Sequence, residues 1–200
     1  MNLRGLYAIT PDGPDSAQLI GKARLALEGG IALLQYRRKR VPKETRREEA
    51  SELVQLARAH DVPFIVNDDV ELALAVGANG VHLGREDADV AHAKTRLPGK
   101  IVGASAYDDI DLARKAVRGG ADYVAFGSVF ASPTKPAAVR APLSLFENDL
   151  GVPLCAIGGI TLDNAPKLIE AGADLLAVIS DLFDAPDIAA RARQYGKLFT

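Results

Sequence analysis

Two carboxylates, Asp68 and Asp87, and three cations, Arg37, Lys39 and Lys135, stand near the ends of apolar runs in this 200-residue chain. Magnesium takes one or two carboxylates and fills its remaining positions with water and substrate phosphates. A guanidinium binds phosphate oxygens through a planar fork, and an ammonium binds them as a point charge. Carboxylates set among cations therefore read as a Mg²⁺–pyrophosphate site rather than as a general acid–base pair. Further polar groups occupy similar positions: Gln35, Asn67, Ser105, Ser132, Thr134 and Ser180, together with Gly158-Gly159 ahead of a helical stretch. Hydroxyls and glycine amides at such places suit anion binding.

What the chain lacks narrows the chemistry. There is no Ser-His-Asp candidate, no Cys or His pair at metal-ligand spacing and no lysine base within an apolar strand. His60 and His92 fall in helical stretches and are expected to be solvated. His82 either lines the site or is a satisfied core histidine. Cys155, the single cysteine, sits in the apolar run LCAIGG and is expected to be a small buried hydrophobe rather than a nucleophile. A site rich in anion clamps and poor in bases suits a leaving group that departs without deprotonation. Singly these features decide little: Gly-Gly is commonly a turn, Arg37–Arg40 read alone is a solvated patch, and Asp68 and Asp69 could cap the following helix. Their shared location is what counts.

That location follows from the elements that carry them. The phrases EGGIALLQYR, VGANGVHLG, RGGADYVAFG and EAGADLLAVI, around Gly30, Gly77, Gly120 and Gly172, repeat one pattern: a helix end, a small-residue turn and an apolar run. Apolar runs predict strands at Leu6–Thr10, Ala32–Arg37, Phe64–Asp68, Gly80–Leu83, Ile101–Ser105, Tyr123–Gly127, Leu154–Ile157 and Leu175–Ser180. They are continuous rather than alternating, as parallel strands covered by helices should be. Helical patterns lie at Ser16–Leu27, Lys43–Ala59, Val70–Val76, Asp89–Arg96, Asp109–Val117 and Asn164–Ala171, with Asp15, Asp163 and Asp187 expected as caps or first-turn acids. Alternating strands and helices predict an α/β fold, a (β/α)8 TIM barrel forming a single catalytic domain over residues 1–200. Chemistry in that fold sits at the carboxyl ends of the strands, where every polar candidate above falls. Period two turns Gln35, Arg37 and Lys39 to one side of the second strand and Tyr36 and Arg38 to the other. The Pro-rich stretch Ala131–Pro142 is expected to be a functional loop.

A net charge of −2 argues against nucleic acid as a partner, and no apolar stretch is long enough to span a membrane. One cysteine and no signal-peptide layout in MNLRGLYAIT lead to a cytoplasmic expectation. The sequence leaves the oligomeric state open, a homo-oligomer included.

Over nearly its whole length the chain resembles the thiamine phosphate synthase family. The matching segments, in order, are LYAITPD, QYRRK, IVNDDVELALAVGANGVHLGRED, GAS, GADYVAFGSVFASPTK, VPLCAIGGIT and GADLLAVIS. The resemblance implies coupling of hydroxymethylpyrimidine pyrophosphate to a thiazole phosphate, giving thiamine phosphate and pyrophosphate. It implies that Gln35, Arg37, Lys39 and Asn67 bind the pyrimidine pyrophosphate, that Asp68 and Asp87 hold Mg²⁺, and that Ser105 contacts the pyrophosphate or the pyrimidine. By the same resemblance Ser132, Thr134 and Lys135 contact thiazole phosphate and pyrophosphate, and Gly159 with Ile179-Ser180 form the thiazole-phosphate site. Arg37, Lys39 and Lys135 are then the catalytic cations. Three positions depart from the family pattern: Ser132 for threonine, Arg85 for glutamine, and Asp181 for alanine beside the phosphate site. A thiazole tautomerase branch, an isomerase, shares the barrel but tends to lose the pyrophosphate and metal residues present here; a non-catalytic phosphate-binding paralogue is the remaining alternative.

Overall fold

In a computed structural model, which describes residues 3–85, 87, 89–131 and 140–200, eight parallel strands close into a barrel in the order β1 to β8. The strands are β1 (Gly5–Ile9), β2 (Leu33–Tyr36), β3 (Phe64–Asn67), β4 (Gly80–Leu83), β5 (Ile101–Tyr107), β6 (Tyr123–Gly127), β7 (Leu154–Ile157) and β8 (Leu175–Val178). Around them run α1 (Ser16–Glu28), α2 (Lys43–Ala59), α3 (Val70–Val76), α4 (Val90–Arg96), α5 (Ile110–Arg118), α6 (Ala165–Glu170), α7 (Ser180–Phe183) and α8 (Ile188–Gly196). Closure comes from β1 pairing with both β2 and β8, with Tyr7 opposite Leu33 on one side and Ala177 on the other.

The repeated phrase marks the helix-to-strand turns as expected. Gly77 ends α3 at φ 68°, its N–H bonded to the carbonyls of Ala73 and Leu74. That left-handed conformation carries a steric cost for any residue with a Cβ. Gly30, Gly120 and Gly172 make the corresponding turns.

Strand alternation divides the apolar residues into two layers. Leu33, Ile65, Ile101 and Leu175 fill the inside of the barrel, whereas Leu34, Phe64, Val102 and Leu176 face the helices. Tyr7 and Tyr123 also point inward. A Cβ on Gly103 would lie 2.0 Å from the Tyr123 ring, so glycine on β5 makes the room that this tyrosine needs.

Four details differ from the sequence expectation. β5 runs on to Tyr107, with a register shift against β6 between Ser105 and Tyr107. β8 stops at Val178, and Ser180 opens the four-residue α7 instead of ending a strand. Between β6 and β7 the described helical structure is a 3-10 turn, Leu143–Glu147. Asp15 and Asp187 cap α1 and α8 through the N–H groups of Gln18 and Ala190, but Asp163 caps nothing. Asn164 precedes α6 instead: it accepts from Thr161 N–H and donates to the Gly159 carbonyl, bracing the Gly-Gly turn.

Candidate active site

A cavity of about 1070 Å³ opens at the carboxyl end of the barrel. Gln35, Arg37 and Lys39 reach it from β2 and the residues beyond, Asn67 and Asp68 from the end of β3, Asp87 from the loop after β4, and Ser105 from β5. Gly159, Ile179 and Ser180 form part of its wall on the β7–β8 side. Ser132, Thr134 and Lys135 lie outside the described residues. Every other site residue named from the sequence is on this one cavity.

On the β2 side the cations are held by a residue that sequence reading passed over. Asp12, in the loop after β1, accepts from Arg37 Nη1 at 2.7 Å and from the Lys39 backbone N–H at 2.8 Å. Thr10 Oγ1 accepts from the Arg37 N–H at 2.8 Å. The alternate residues turn away from the cavity as period two requires. Arg38 forms a two-point contact with Glu49 of α2, at 3.1 and 3.3 Å, and donates to the carbonyls of Asp12 and Pro14. Tyr36 and Ser16 hydroxyls complete the shell around the Glu49 carboxylate, at 2.6 and 2.7 Å. Arg38 is therefore no solvated member of a basic patch: its side chain is 4% exposed and its partner's 1%. The pair ties the Asp12 loop, β2 and α2 together behind Arg37.

The adjacent aspartates Asp68 and Asp69 divide their labour. Asp69 caps α3 by accepting from Leu72 N–H. Asp68 adopts φ 63°, which swings it onto the cavity, where its neighbours are Asp87 and Lys39 Nζ, the latter at 3.4 Å. Burial and the nearness of the Asp87 carboxylate raise the Asp68 pKa, and Lys39 opposes the rise. Asp87 is in turn held by the Gly84 N–H at 2.7 Å. Two crowded carboxylates at the edge of a cavity are hard-oxygen donors whose mutual repulsion a divalent cation relieves. Among the described residues no third His, Cys, Asp or Glu joins such a cluster. That donor count fits a Mg²⁺ ion whose other ligands are water and substrate oxygens.

The floor of the cavity is a buried string of side chains. Gln35 Nε2 donates to the Tyr7 hydroxyl, which meets the Tyr123 hydroxyl at 2.7 Å. Tyr123 reaches His82 Nδ1 at 2.9 Å, and His82 Nε2 lies 2.9 Å from Ser105 Oγ. His82 therefore both lines the site and is satisfied. Burial pushes its pKa down to about 4. An unfolded chain's imidazole titrates near 6.5. Between those values the unfolded state binds the extra proton, so this contribution is intact above about pH 6.5 and is lost as pH falls towards 4. Urea titrations across that window are expected to show wild-type stability falling by about 1 kcal/mol per pH unit more steeply than in His82→Gln. Equal slopes would remove the histidine from the acid sensitivity. Cys155, fully buried in the barrel, has its thiol pKa pushed up by burial, which leaves the sulfur protonated and inert.

On the far rim the glycines are packing requirements. A Cβ on Gly158 would come within 2.1 Å of Ser128 Oγ, and one on Gly159 within 2.2 Å of the Ala131 carbonyl; both residues have positive φ. The departure at Asp181 has a local answer. Its carboxylate accepts from Arg191 Nη1 at 2.7 Å and from the Tyr195 hydroxyl at 2.8 Å, both on α8, so its charge is neutralised beside Ser180. Arg85, the other departure in the described region, lies over the Tyr107 ring with 4.7 Å from its guanidinium carbon to the ring centroid.

Sequence reading missed Asp12, Tyr7, Tyr123 and Glu49. Period two on β1 and β6 would have turned both tyrosines inward. Helix periodicity would likewise have put Glu49 on the inward face of α2 with Leu53 and Leu56; Asp12 leaves no such local signal, because its partners lie on another element.

A family model described as thiamine monophosphate synthase matches residues 6–182. The thiamine-phosphate synthase of Aromatoleum aromaticum is 57% identical, with 98% of this chain and 97% of that one covered. That of Chromobacterium violaceum is 56% identical, over 96% and 94%. Among solved structures, the thiamine phosphate pyrophosphorylase from Pyrococcus furiosus superposes with a TM-score of 0.88 at 38% identity, covering 99% of this chain and 96% of its own. A 3-hexulose-6-phosphate synthase, at 18% identity and a TM-score of 0.73, shares the fold.

Proposed function

We propose a specific reaction for this chain, which belongs to the thiamine monophosphate synthase family and is an enzyme of thiamine phosphate synthesis. The substrates are hydroxymethylpyrimidine pyrophosphate and a thiazole phosphate, and the products are thiamine phosphate and pyrophosphate. The observation that carries this reading is the convergence of Arg37, Lys39, Asp68 and Asp87 on one cavity whose other wall holds Gly159 and Ser180. One side offers charge for a pyrophosphate, and the other offers backbone amides and a hydroxyl for a second phosphate.

The bond between the pyrimidine methylene carbon and pyrophosphate oxygen breaks with both electrons leaving on oxygen. The thiazole nitrogen lone pair then forms the new carbon–nitrogen bond. Arg37 and Lys39 stabilise the charge that builds on the departing oxygens, held in place by Asp12 before substrate arrives. Lys135, between β6 and β7 in the sequence, is assigned the same task. Gln35 and Asn67 orient the pyrimidine pyrophosphate, and Ser105 contacts it. Gly159, Ile179 and Ser180 hold the thiazole phosphate, with Ser132 and Thr134 assigned to the same task. Asp68 and Asp87 would hold Mg²⁺, which when bound supplies Lewis-acid neutralisation of the pyrophosphate. No enzymatic nucleophile or base is required, in keeping with a His82 whose basicity burial weakens and a Cys155 thiol that burial keeps protonated. Holding both substrates in one pocket supplies the entropic share of the rate.

Incubation of the protein with both substrates and Mg²⁺, followed by chromatography, should yield thiamine phosphate and pyrophosphate in equal amounts. Isomerisation of the thiazole phosphate with neither product would instead favour the tautomerase branch. Asp87→Ala is expected to raise the Mg²⁺ concentration needed for half-maximal rate by about tenfold or more, since loss of one charged ligand leaves Asp68 alone. An unchanged Mg²⁺ titration would take Asp87 out of the metal site. No described helix is long and apolar enough to cross a membrane; with a single buried cysteine, the enzyme is assigned to the reducing cytoplasm.

A further inference from the structure

The floor of the cavity, Gln35–Tyr7–Tyr123–His82–Ser105, draws one residue from each of five strands, yet only its two ends carry an assigned role. Tyr7 and Tyr123 are fully enclosed, so their protons have no solvent to turn to. A phenol contributes one proton, and a neutral imidazole has one donor and one acceptor nitrogen. The hydrogen bonds of such a string must therefore all run the same way, or a buried hydroxyl is left with an orphaned proton or two facing lone pairs, at a cost that burial makes severe.

The Gln35 amide sets the direction. Its Nε2 donates to the Tyr7 oxygen, so the Tyr7 proton goes to the Tyr123 oxygen at 2.7 Å. The Tyr123 proton then goes to His82 Nδ1, which leaves the imidazole proton on Nε2, facing Ser105 Oγ. Ser105 accepts that proton and keeps its own for the cavity. At the opposite end the Gln35 carbonyl oxygen is the acceptor of the same amide. The cavity floor thus presents a donor at Ser105 and an acceptor at Gln35. In the reverse direction Ser105 would offer the cavity only lone pairs, which repel phosphate oxygens.

We propose that Tyr7, Tyr123 and His82 are positioning residues that form a one-way hydrogen-bond chain, locking His82 in its Nε2–H tautomer. Ser105 is thereby made a donor to an acceptor atom of the pyrimidine pyrophosphate, and Gln35 an acceptor for its exocyclic amine. The proposal rests on the pyrimidine pyrophosphate reading above. The packing that preserves it is visible in β5, where the absence of a side chain at Gly103 admits the Tyr123 ring.

The test is ¹⁵N NMR on the full-length protein with labelled histidine, the His82 signals being those lost in His82→Gln. The expected spectrum at neutral pH has His82 protonated at Nε2 and bare at Nδ1. A ring protonated at Nδ1 would overturn the proposal, because it requires the reverse direction. Tyr123→Phe removes the proton given to Nδ1. It should mix the two tautomers and raise KM for the pyrimidine pyrophosphate about three- to tenfold, with KM for the thiazole phosphate unchanged. An unchanged tautomer in Tyr123→Phe would also sink the idea. If that variant does not fold, the wild-type spectrum alone decides, since a ring protonated at Nδ1 overturns the proposal whatever the variant does. Should the wild type make no thiamine phosphate, the proposed reaction fails, while the tautomer still reports the direction of the chain.

Discussion

Arg37→Ala is expected to lower kcat/KM for thiamine phosphate formation by about 10²–10³-fold with the fold intact. A positioned donor acting on developing negative charge is worth about 3–4 kcal/mol in the transition state. Arg37 meets the requirement of being positioned in advance: one guanidinium nitrogen is bound to Asp12 and its backbone to Thr10, and it lines the cavity. Its side chain is 22% exposed and it belongs to neither apolar layer, so melting temperature should move by only a few degrees. Arg37→Lys keeps the charge but not the fork, and should recover part of the rate. The measurement is pyrophosphate release at varied concentrations of each substrate. A loss under threefold would leave Arg37 as an ion-pair partner of Asp12 with no share in the chemistry.

Glu49→Ala should cost about 3–5 kcal/mol of unfolding free energy, because it breaks a buried ion pair by removing one partner. The carboxylate accepts from Arg38, Tyr36 and Ser16 at once, and its removal leaves a guanidinium, 4% exposed, without its counter-charge. The Tyr36 hydroxyl is stranded with it. Urea unfolding followed by circular dichroism reads the loss. A cost under 1 kcal/mol would mean that water reaches Arg38 as readily as Glu49 does. Replacing both partners, Arg38→Met with Glu49→Leu, should restore much of the stability, since well-packed apolar pairs often match buried ion pairs. Activity should not return with it. Arg38 also holds the carbonyls of Asp12 and Pro14, and with them the loop that positions Arg37 and Lys39. Stability and activity should therefore separate in the double variant.

The two predictions rest on neighbouring residues of one short segment, Tyr36 to Arg38, and only one of the two was readable beforehand. Alternation assigned Arg37 to the cavity, and the structure places it there. The same alternation said that Arg38 pointed away, but a residue pointing away from a site reads as solvated unless a partner is known. Glu49 is such a partner: helix periodicity puts it on the inward face of α2 with Leu53, Leu56 and Ala57, unlike Glu44 and Glu48, but it does not say which cation the carboxylate meets. Asp68 and Asp69 show a similar limit. Either could cap α3 or face the cavity, and only the left-handed backbone at Asp68 separates them. Asp181, out of place beside a phosphate site when read along the chain, proves to be matched to Arg191 and Tyr195 of the following helix.

Local order along the chain was enough to establish the barrel, the rim on which chemistry collects and the kinds of group found there. Strand alternation, glycine turns and the position of a residue at a strand's carboxyl end are all properties of a few consecutive residues, and they survive in one dimension. Folding alone decided who holds whom. Tyr7 meets Tyr123 from 116 positions away, and Arg37 meets Asp12 from 25. The first pairing depends on the barrel closing, with β1 against β8, so that inward side chains reach one another across it; the second depends on β1 lying beside β2. No short-range pattern records a contact made through the middle of a closed sheet, so the identity of the groups was legible in the chain and their electrostatic partners were not.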